Sequence, residues 1–243
     1  MPQKKLILVG AGPGDPELIS LKGVKALQQA NVVMYDALVS EELLQHAPNA
    51  IKLFCGKRAG THYMKQDEIN QKIVEQANLH GVVVRLKGGD PFIFGRGQEE
   101  IEYAEKHGIP AEIIPGISSA TALATLRQIP LTKRGITESV WITTGTTSCG
   151  ELSEDIELAA QSTATVVILM GIGKLAEIIS LFTKYKTEQY PIAIIQNGTL
   201  PDEKIVCGHL STIQQKALEA NISSPAVIIV GKVVDCSQIL HIR

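Results

Sequence analysis

The chain has 243 residues, of which 44% are hydrophobic and 20% are charged, and its formal net charge is −2. This composition can fill a hydrophobic core and differs clearly from that of a disordered chain. Nucleic-acid binding calls for a basic surface and stacking aromatic side chains, yet only 4% of the residues are aromatic. With a balanced charge and few aromatic side chains we therefore expect no nucleic-acid partner. Because no apolar stretch reaches about 18 residues, we expect no membrane helix.

The four cysteines, at positions 55, 149, 207 and 236, are scattered along the chain without a Cys-x-x-Cys pair. That spacing argues against a zinc site and against a disulfide framework, so we expect no metal. The apolar stretch at residues 6–9 runs directly into a glycine loop and is too short for the core of a signal peptide. We therefore expect a reduced, cytoplasmic protein.

Short continuous apolar runs predict strands that are covered on both faces. In chain order these runs are residues 6–9, 32–35, 82–84, 166–170, 192–195 and 226–230. Segments with helical spacing lie between many of them; Ile69, Ile73 and Ala77, for example, fall on one helix face. This β-α-β-α order predicts an α/β fold whose first part is a mostly parallel sheet.

A polar segment flanked by chain-breaking residues, 130–139, interrupts this order just before a new predicted strand, 140–143, begins. We expect a domain boundary near residue 137, with an N-terminal α/β domain over 1–137 and a C-terminal α/β domain over 138–243. Closer-spaced strands around Asn197-Gly198 and residues 204–207 predict a mixed sheet with hairpins in the second domain.

The first glycine loop, residues 10–16, has spacing similar to a dinucleotide-binding fingerprint. That fingerprint requires free backbone amides at a helix N-terminus. Pro13 removes one N–H donor, and Asp15 and Pro16 stand where amides and room for phosphate are needed. The residues therefore disfavour a dinucleotide ligand.

Three further loops follow predicted strands, at the edge where open α/β sheets bind ligands. Gly88-Gly89-Asp90 offers carbonyls and a carboxylate to a ligand with ammonium or hydroxyl donors, or Asp90 caps a helix in a simple turn. Ser118 and Ser119 are ligand contacts or an N-cap. For Asp36, at the end of a predicted strand, the alternatives are binding a ribose, transferring a proton and capping the next element. The residues alone leave these alternatives open.

Basic residues stand close to these loops although the total charge is balanced. A single pair of neighbouring basic residues usually lies on a surface that faces solvent. If several line one cleft, the expected ligand carries many carboxylates, which arginine binds in bidentate fashion. The candidates are Lys57, Arg58, Arg96, Lys133 and Arg134.

Taken in order, the loops and their flanking residues resemble the tetrapyrrole methylases. The matching segments are VGAGPGD at 9–15, VMYD at 33–36, GKR at 56–58, RLKGGDPFIFGRG at 85–97, PGISS at 115–119, IPLT at 129–132, Met170-Gly171 and Asn197-Gly198-Thr199. The similarity runs from about residue 5 to about residue 234, and block 85–97 is its most specific part.

The resemblance implies two α/β domains, with S-adenosylmethionine (SAM) bound in a cleft between them, and a homodimer. It also implies a small-molecule tetrapyrrole substrate: two methyl groups are transferred to uroporphyrinogen III, without a metal. The product, precorrin-2, would serve sirohaem and cobalamin synthesis. Because the chain shows no added dehydrogenase or ferrochelatase region, we expect a single activity.

Residue by residue, the resemblance assigns proton transfer to Asp36 and Lys57, and contact with a substrate carboxylate to Arg96. Where Ser118-Ser119 stand the family often has Thr-Ala, and where Thr146 stands it often has histidine. The cofactor contacts that it implies are Pro13, Gly88, Gly89, Asp90, Ile93, Ser118, Ser119, Met170 and Gly198.

Three other interpretations remain. A methylase of a later corrin precursor shares the first glycine loop and the domain plan, but block 85–97 argues against it. An NAD-dependent oxidoreductase needs the fingerprint that Pro13 disrupts. A catalytically silent SAM-binding regulator would keep residues 88–90 but need not keep Asp36, Lys57 and Arg96, all of which are present.

Overall fold

The structure is a computed structural model, which describes residues 4–56 and 64–235. The chain divides into two compact units, Met1–Ser118 and Ser119–Arg243. Each unit contains one five-stranded sheet with helices. The first sheet is parallel and the second is mixed, which confirms the predicted fold class.

The first unit is a parallel sheet with the strand order β3-β2-β4-β1-β5. Its strands are β1 (Lys5–Gly10), β2 (Val32–Tyr35), β3 (Ile51–Phe54), β4 (Val82–Lys87) and β5 (Ala111–Ile114). Its helices are α1 (Leu21–Gln28), α2 (Gln66–His80) and α3 (Gly97–Lys106), with 3₁₀ turns at Pro16–Leu18 and Glu41–His46. Since all strands run the same way, the loops that follow them share one edge.

Both faces of this sheet are covered, as the continuous apolar runs predict. Leu6 and Leu8 of β1 join a buried cluster with residues of α2 and α3, whereas Ile7 and Val9 join one that includes residues of α1. Helix α1 begins after Ser20, whose hydroxyl accepts from the Gly23 amide at 3.1 Å.

The second unit has the strand order β6-β7-β10-β8-β9. Its strands are β6 (Val140–Thr144), β7 (Thr165–Leu169), β8 (Pro191–Gln196), β9 (Lys204–His209) and β10 (Ala226–Val230). Its helices are α4 (Ser119–Leu126), α5 (Asp155–Gln161), α6 (Leu175–Thr183) and α7 (Ile213–Glu219), with a 3₁₀ turn at Ile172–Lys174. Only the β6–β7 pair among these strands is parallel; β8 and β9 pair as antiparallel neighbours, which confirms the predicted hairpin.

The division at Ser118 falls earlier in the chain than the boundary expected near residue 137. Helix α4 belongs to the second unit because Ala120, Leu123 and Ala124 pack in one cluster with side chains of β7, β8 and β10. The polar segment 130–139 lies inside that unit, where it leads from α4 to β6. Its polarity reflects exposure to solvent rather than the end of a core.

The cysteines differ from one another in the structure. Cys207 is disulfide-bonded, so the expectation of a chain without disulfides is wrong. Cys55, which is buried, and Cys149, which is exposed, are free thiols. Within residues 4–56 and 64–235, none of the helices combines the length and the apolar character needed to span a membrane.

Candidate active site

Three loops of the first unit meet through glycines at the carboxyl edge of its sheet. A Cβ atom on Gly10 would lie 2.4 Å from the Gly116 Cα atom, and one on Gly116 would lie 2.2 Å from the Gly89 carbonyl oxygen. Backbone atoms cannot yield as a flexible side chain can, so the loops after β1 and β5 approach each other and the Gly89 carbonyl this closely only because residues 10 and 116 are glycine. We call Gly10, Gly89 and Gly116 the glycine contact.

The first glycine loop is bonded to the loop after β4 rather than left open. The Gly12 amide donates to the Gly89 carbonyl at 3.3 Å, and the Gly89 amide donates to the Gly12 carbonyl at 2.7 Å. Pro13, half-buried beside this bridge, has no amide to offer. A phosphate cradle needs free amides, and the Gly12 amide is already used, which agrees with the interpretation against a dinucleotide.

Both carboxylate oxygens of Asp90 bind backbone amides. Oδ1 accepts from the Phe92 amide at 2.8 Å and Oδ2 accepts from the Gly116 amide at 3.0 Å. Asp90 therefore caps its own turn and ties the β4 loop to the β5 loop. Each oxygen keeps a second lone pair for a ligand, so the capping role does not displace the binding role.

The turn after Asp90 exposes apolar side chains and includes two unusual backbone conformations. Phe92, Ile93 and Phe94 are 44%, 39% and 45% exposed. Phe94 has φ 53° and Arg96 has φ 58°, in the left-handed region that bulky residues rarely adopt. Exposed apolar groups beside strained backbone are typical of a ligand-binding surface.

Arg96 is bonded to its neighbour in the first turn of α3. Its Nε and Nη2 atoms donate to the two carboxylate oxygens of Glu99, at 2.8 and 2.7 Å. The hydrogen bond from Arg96 lowers the pKa of Glu99. Both side chains are about half exposed, so a carboxylate ligand would reach Arg96 by competing with Glu99.

Four charged side chains form a buried charge network: Asp36, Arg85, Lys87 and Glu100. Arg85 donates from Nη2 to Asp36 Oδ1 at 2.5 Å and from Nε to Glu100 Oε1 at 3.3 Å. Lys87 Nζ donates to the same Glu100 oxygen at 2.8 Å. Asp36 is thus paired with Arg85.

Burial and mutual charge act in opposite directions on the cations of this network. Burial by itself lowers the pKa of Arg85, but the charges of Glu100 and Asp36 raise it above its ordinary value. Burial, and after it the charge of Arg85, lower the pKa of Lys87, and Glu100 opposes them in part. Desolvation raises the pKa of the neighbouring Cys55 thiol.

Arg85, Lys87 and Glu100 were not among the functional residues predicted from the sequence. The sequence signal for them was the position of Arg85 and Lys87, two residues apart in a strand that is otherwise apolar. Side chains two residues apart in a strand lie on the same face, so both cations lie on one covered face of the sheet. Glu100 is completely buried on α3 beside Ile101. A buried carboxylate on a helix that covers the same face of the sheet is the partner such cations require.

In the second unit, Met170 directly follows β7 and has a left-handed conformation with φ 54°, and its side chain is half exposed. Its carbonyl accepts from the Thr146 hydroxyl at 2.8 Å. Thr146, which stands where related sequences often have histidine, therefore supports Met170 through a side-chain bond to its backbone.

Gly198, after β8, packs against α4. A Cβ atom there would lie 2.3 Å from Leu123 Cδ2. The next residue, Thr199, has φ 72° and donates its amide to Glu203 Oε2 at 2.7 Å. Arg127 Nε donates to Glu203 Oε1 at 2.6 Å. These contacts hold the Gly198 loop in a shape that a β-branched residue rarely adopts.

The remaining predicted residues are placed as follows. Ser118 is half-buried at the end of the first unit, and Ser119 opens α4. Lys133 and Arg134 are exposed in a turn closed by bonds between Lys133 and Thr137. Lys57 and Arg58 lie outside the described residues. In the first unit, the structure brings Gly88, Gly89 and Asp90 to the Gly12-Pro13 loop.

A depression of about 340 Å³ lies beside the glycine contact, between the segments 17–20 and 115–117. Its lining includes Leu18, Ile19 and Ile117, so it offers an apolar surface next to the Gly116 backbone. Across the part of the chain that the structure describes, no cluster of His, Cys, Asp or Glu is suited to hold a metal ion.

Comparison with known proteins adds independent evidence. Residues 5–214 match the family described as Tetrapyrrole (Corrin/Porphyrin) Methylases. The chain is 46% identical over 234 residues to the uroporphyrinogen-III C-methyltransferase of Methanocaldococcus jannaschii, covering 95% of this chain and 97% of that protein.

Solved structures agree with this match. Uroporphyrin-III C-methyl transferase from Thermus thermophilus, complexed with S-adenyl homocysteine, superposes with a TM-score of 0.81 at 35% identity and covers 94% of this chain and 98% of its own. A cobalt precorrin-4 methyltransferase superposes with a TM-score of 0.85 at 30% identity, covering 96% of each chain.

Proposed function

The chain belongs to the tetrapyrrole methylase family, and on that premise we propose that it is a SAM-dependent C-methyltransferase acting on uroporphyrinogen III. It transfers two methyl groups, to C2 and C7, and yields precorrin-2 and S-adenosylhomocysteine (SAH). The observation that carries the proposal is the 46% identity to an archaeal uroporphyrinogen-III C-methyltransferase over nearly the whole of both chains.

We propose that the cofactor contacts are those carried over from the family. In the first unit the glycine contact, the Asp90 carboxylate and the exposed Ile93 side chain support this assignment, because a nucleoside with amino and hydroxyl donors needs carbonyl and carboxylate acceptors beside an apolar surface. The proposed contacts are Pro13, Gly88, Gly89, Asp90, Ile93 and Ser118 in the first unit, and Ser119, Met170 and Gly198 in the second.

SAM supplies the methyl group by in-line displacement at its sulfonium carbon, so the protein acts mainly by positioning donor and acceptor. The acceptor is a pyrrole carbon that must afterwards lose a proton. Asp36 is proposed to take part in that proton transfer, together with Lys57. The Arg85 guanidinium holds the Asp36 carboxylate at the end of β2, with 28% of its side chain exposed.

Uroporphyrinogen III carries eight carboxylates, which matches basic side chains on a protein of balanced total charge. We assign Arg96 to one of them; the exposed ion pair with Glu99 is of the weak kind that a substrate carboxylate can replace. Arg58, Lys133 and Arg134 are proposed as further contacts. A homodimer, a cytoplasmic location and a place before sirohaem or cobalamin also belong to the proposal.

A later corrin precursor is the second candidate substrate, because the backbone superposes on a cobalt precorrin-4 methyltransferase with a TM-score of 0.85. The sequence identity to that enzyme, 30%, is lower than the 46% to the uroporphyrinogen-III enzyme. Enzymes with different substrates can share one fold, so the higher sequence identity favours uroporphyrinogen III over a later corrin precursor as the substrate.

An acceptor comparison tests the proposal. The protein is incubated without oxygen with SAM and either uroporphyrinogen III or precorrin-2, and the products are identified by mass spectrometry. We expect a doubly methylated product from uroporphyrinogen III and no methylation of precorrin-2. Methylation of precorrin-2 alone would support the later-precursor activity instead.

A further inference from the structure

We infer that Arg85 is a positioning residue for the reaction: it holds the Asp36 carboxylate in place, and Glu100 and Lys87 balance the charge that this requires inside the protein. The inference rests on the proposed role of Asp36 in proton transfer. Neither Arg85, Lys87 nor Glu100 is assigned a part in the function by the family resemblance described above.

Sheet register explains why Arg85 reaches Asp36. Arg85 of β4 stands opposite Met34 of β2, and Asp36 follows two residues after Met34, on the same face of the sheet. The guanidinium spans this distance. Its Nη1 atom donates to the Met34 carbonyl at 3.3 Å while Nη2 donates to Asp36. Two anchors from one planar group fix the direction as well as the distance of the carboxylate.

The network is exposed at its Asp36 end and enclosed at the other. The side chain of Asp36 is 28% exposed, whereas those of Arg85, Lys87 and Glu100 are 2%, 5% and 0% exposed. Asp36 stands at the carboxyl edge of the sheet, where the glycine contact also lies. The three enclosed charges therefore act on a ligand only through Asp36.

Stability alone does not account for such a network. Replacing a buried ion pair by apolar side chains of similar size is often neutral or stabilising, because taking charges out of water is costly. Here the arrangement is also incompletely bonded, since Glu100 Oε2 is buried without a hydrogen-bond partner. A well-packed apolar strand would suit the fold at least as well, which points to a function in placing Asp36.

The formal charges agree with these roles, in which Arg85 places Asp36 and the other two charged side chains balance the charge of the network. With all four groups ionised, Asp36 and Glu100 balance Arg85 and Lys87, so the network is neutral. Glu100 Oε1 accepts from Arg85, Lys87 and Gln66, the last at 3.1 Å. Glu100 thus compensates the buried cations, and the one oxygen of Asp36 that binds Arg85 leaves its other oxygen to face the substrate.

A double-mutant cycle in turnover tests the inference. The purified full chain is compared with Asp36→Ala, Arg85→Lys and the double variant, using uroporphyrinogen III and SAM without oxygen. Lysine keeps the charge but not the planar fork. We expect Asp36→Ala to lower kcat about 100-fold and Arg85→Lys to lower it about 10-fold, both with an unchanged KM for SAM. Because Arg85 acts through Asp36, the double variant should match Asp36→Ala alone.

Lys5→Met is the matched control. Lys5 forms an ion pair with Glu112 on the same sheet, at 2.6 Å, but at the start of β1 instead of the carboxyl edge. Its loss should leave kcat unchanged. Multiplicative losses in the double variant, or full turnover by Arg85→Lys while Asp36→Ala is impaired, would overturn the inference and leave the proposed function standing.

A second variant covers the case in which Arg85→Lys does not fold. Arg85→Met, Lys87→Met and Glu100→Leu together replace the enclosed charges with apolar side chains. We expect this variant to keep a cooperative melting transition and to lose at least about 10-fold in kcat. A folded triple variant with full kcat would contradict the positioning role. Full turnover by Asp36→Ala would instead overturn the proposed role of Asp36, and the absence of methylated product from the unmodified chain would overturn the proposed function itself.

Discussion

The two oxygens of Asp90 connect loops that lie 26 residues apart in the chain, through the amides of Phe92 and Gly116. A hydrogen bond that a backbone amide donates to a charged acceptor stabilises by at most about 1.5–3 kcal/mol, and less where it is exposed to solvent, as at Phe92. The Gly116 amide belongs to the glycine contact, so one carboxylate sets both the shape of the β4 loop and its distance from the β5 loop. The capping role and the proposed binding role of Asp90 depend on the same geometry.

Asp90→Ala should therefore weaken SAH binding by about 10-fold or more, which is about 1.4 kcal/mol, and lower the free energy of unfolding by about 1–3 kcal/mol. Isothermal titration with SAH and urea unfolding measure the two effects. Asp90→Asn, which keeps one acceptor oxygen, should lie between the alanine variant and the unmodified chain. Unchanged SAH affinity in Asp90→Ala would remove Asp90 from the proposed site.

The two free cysteines should differ sharply in reactivity. The thiolate is the reactive form, and burial raises the pKa of Cys55, which lowers its thiolate fraction at any pH below that value. Cys149 is exposed. At pH 8 we expect iodoacetamide to modify Cys149 at least about 10-fold faster than Cys55 in the native protein, as followed by peptide mass spectrometry. Equal rates that persist in the folded protein would show that Cys55 is not enclosed beside Arg85.

At the scale of elements, the loop after β8 is held by a helix and a carboxylate. Leu123 of α4 packs on Gly198, and Glu203 connects Arg127, just after α4, to the Thr199 amide. Thr199 has φ 72°, a conformation that costs a β-branched residue about 1–3 kcal/mol. The bond to Glu203 opposes relaxation of this loop.

Glu203→Ala should consequently raise the SAH dissociation constant by about 10-fold. Thr199→Gly should recover part of that loss in the double variant, because glycine adopts positive φ without strain. Calorimetry on the single and double variants provides the comparison. If the double variant binds SAH no better than Glu203→Ala, relief of strain at Thr199 is not the link between Glu203 and the cofactor.

The glycine contact makes a second prediction at this scale. Gly116→Ala places a Cβ atom 2.2 Å from the Gly89 carbonyl oxygen, so the loops must separate, and we expect a loss of at least about 3 kcal/mol in the free energy of unfolding. Gly173 is the matched control, since a Cβ atom there meets nothing within 4 Å. Gly173→Ala should change the unfolding midpoint little in urea. Equal stability of the two variants would contradict the close approach of the loops.

For the whole molecule, the sequence was sufficient for the central strands of both sheets and for the edge strands β6 and β9, and insufficient for the edge strands of the first sheet. Apolar runs predicted β1, β2, β4, β7, β8 and β10, because strands covered on both faces are apolar throughout. The end of the polar segment 130–139 predicted β6, although Trp141 and Ile142 of this strand are exposed. The edge strands β3 and β5 lack such runs, since Ile51 and Ile113 face solvent. The apolar run that predicts β4 covers only residues 82–84, because Arg85 interrupts it, although the strand continues to Lys87.

The same limit applied to the candidate site. Glycine loops, Asp36 and Asp90 could be identified locally, because turn chemistry and a carboxylate at a strand end are visible in the chain. The glycine contact and the buried charge network could not, since they join residues far apart in sequence whose proximity depends on strand order. The substrate and the cofactor were inferred from the family resemblance, because the residue types alone do not identify either of them.

The ratio of SAH released to uroporphyrinogen III consumed tests the account most directly. It is measured without oxygen, with excess SAM, by quantitative mass spectrometry of both species until the acceptor is exhausted. Since the proposal is that each acceptor receives two methyl groups at carbon, we predict a ratio of two and a single final tetrapyrrole. A third methyl group on the final tetrapyrrole, or SAH formed without loss of uroporphyrinogen III, would contradict the account.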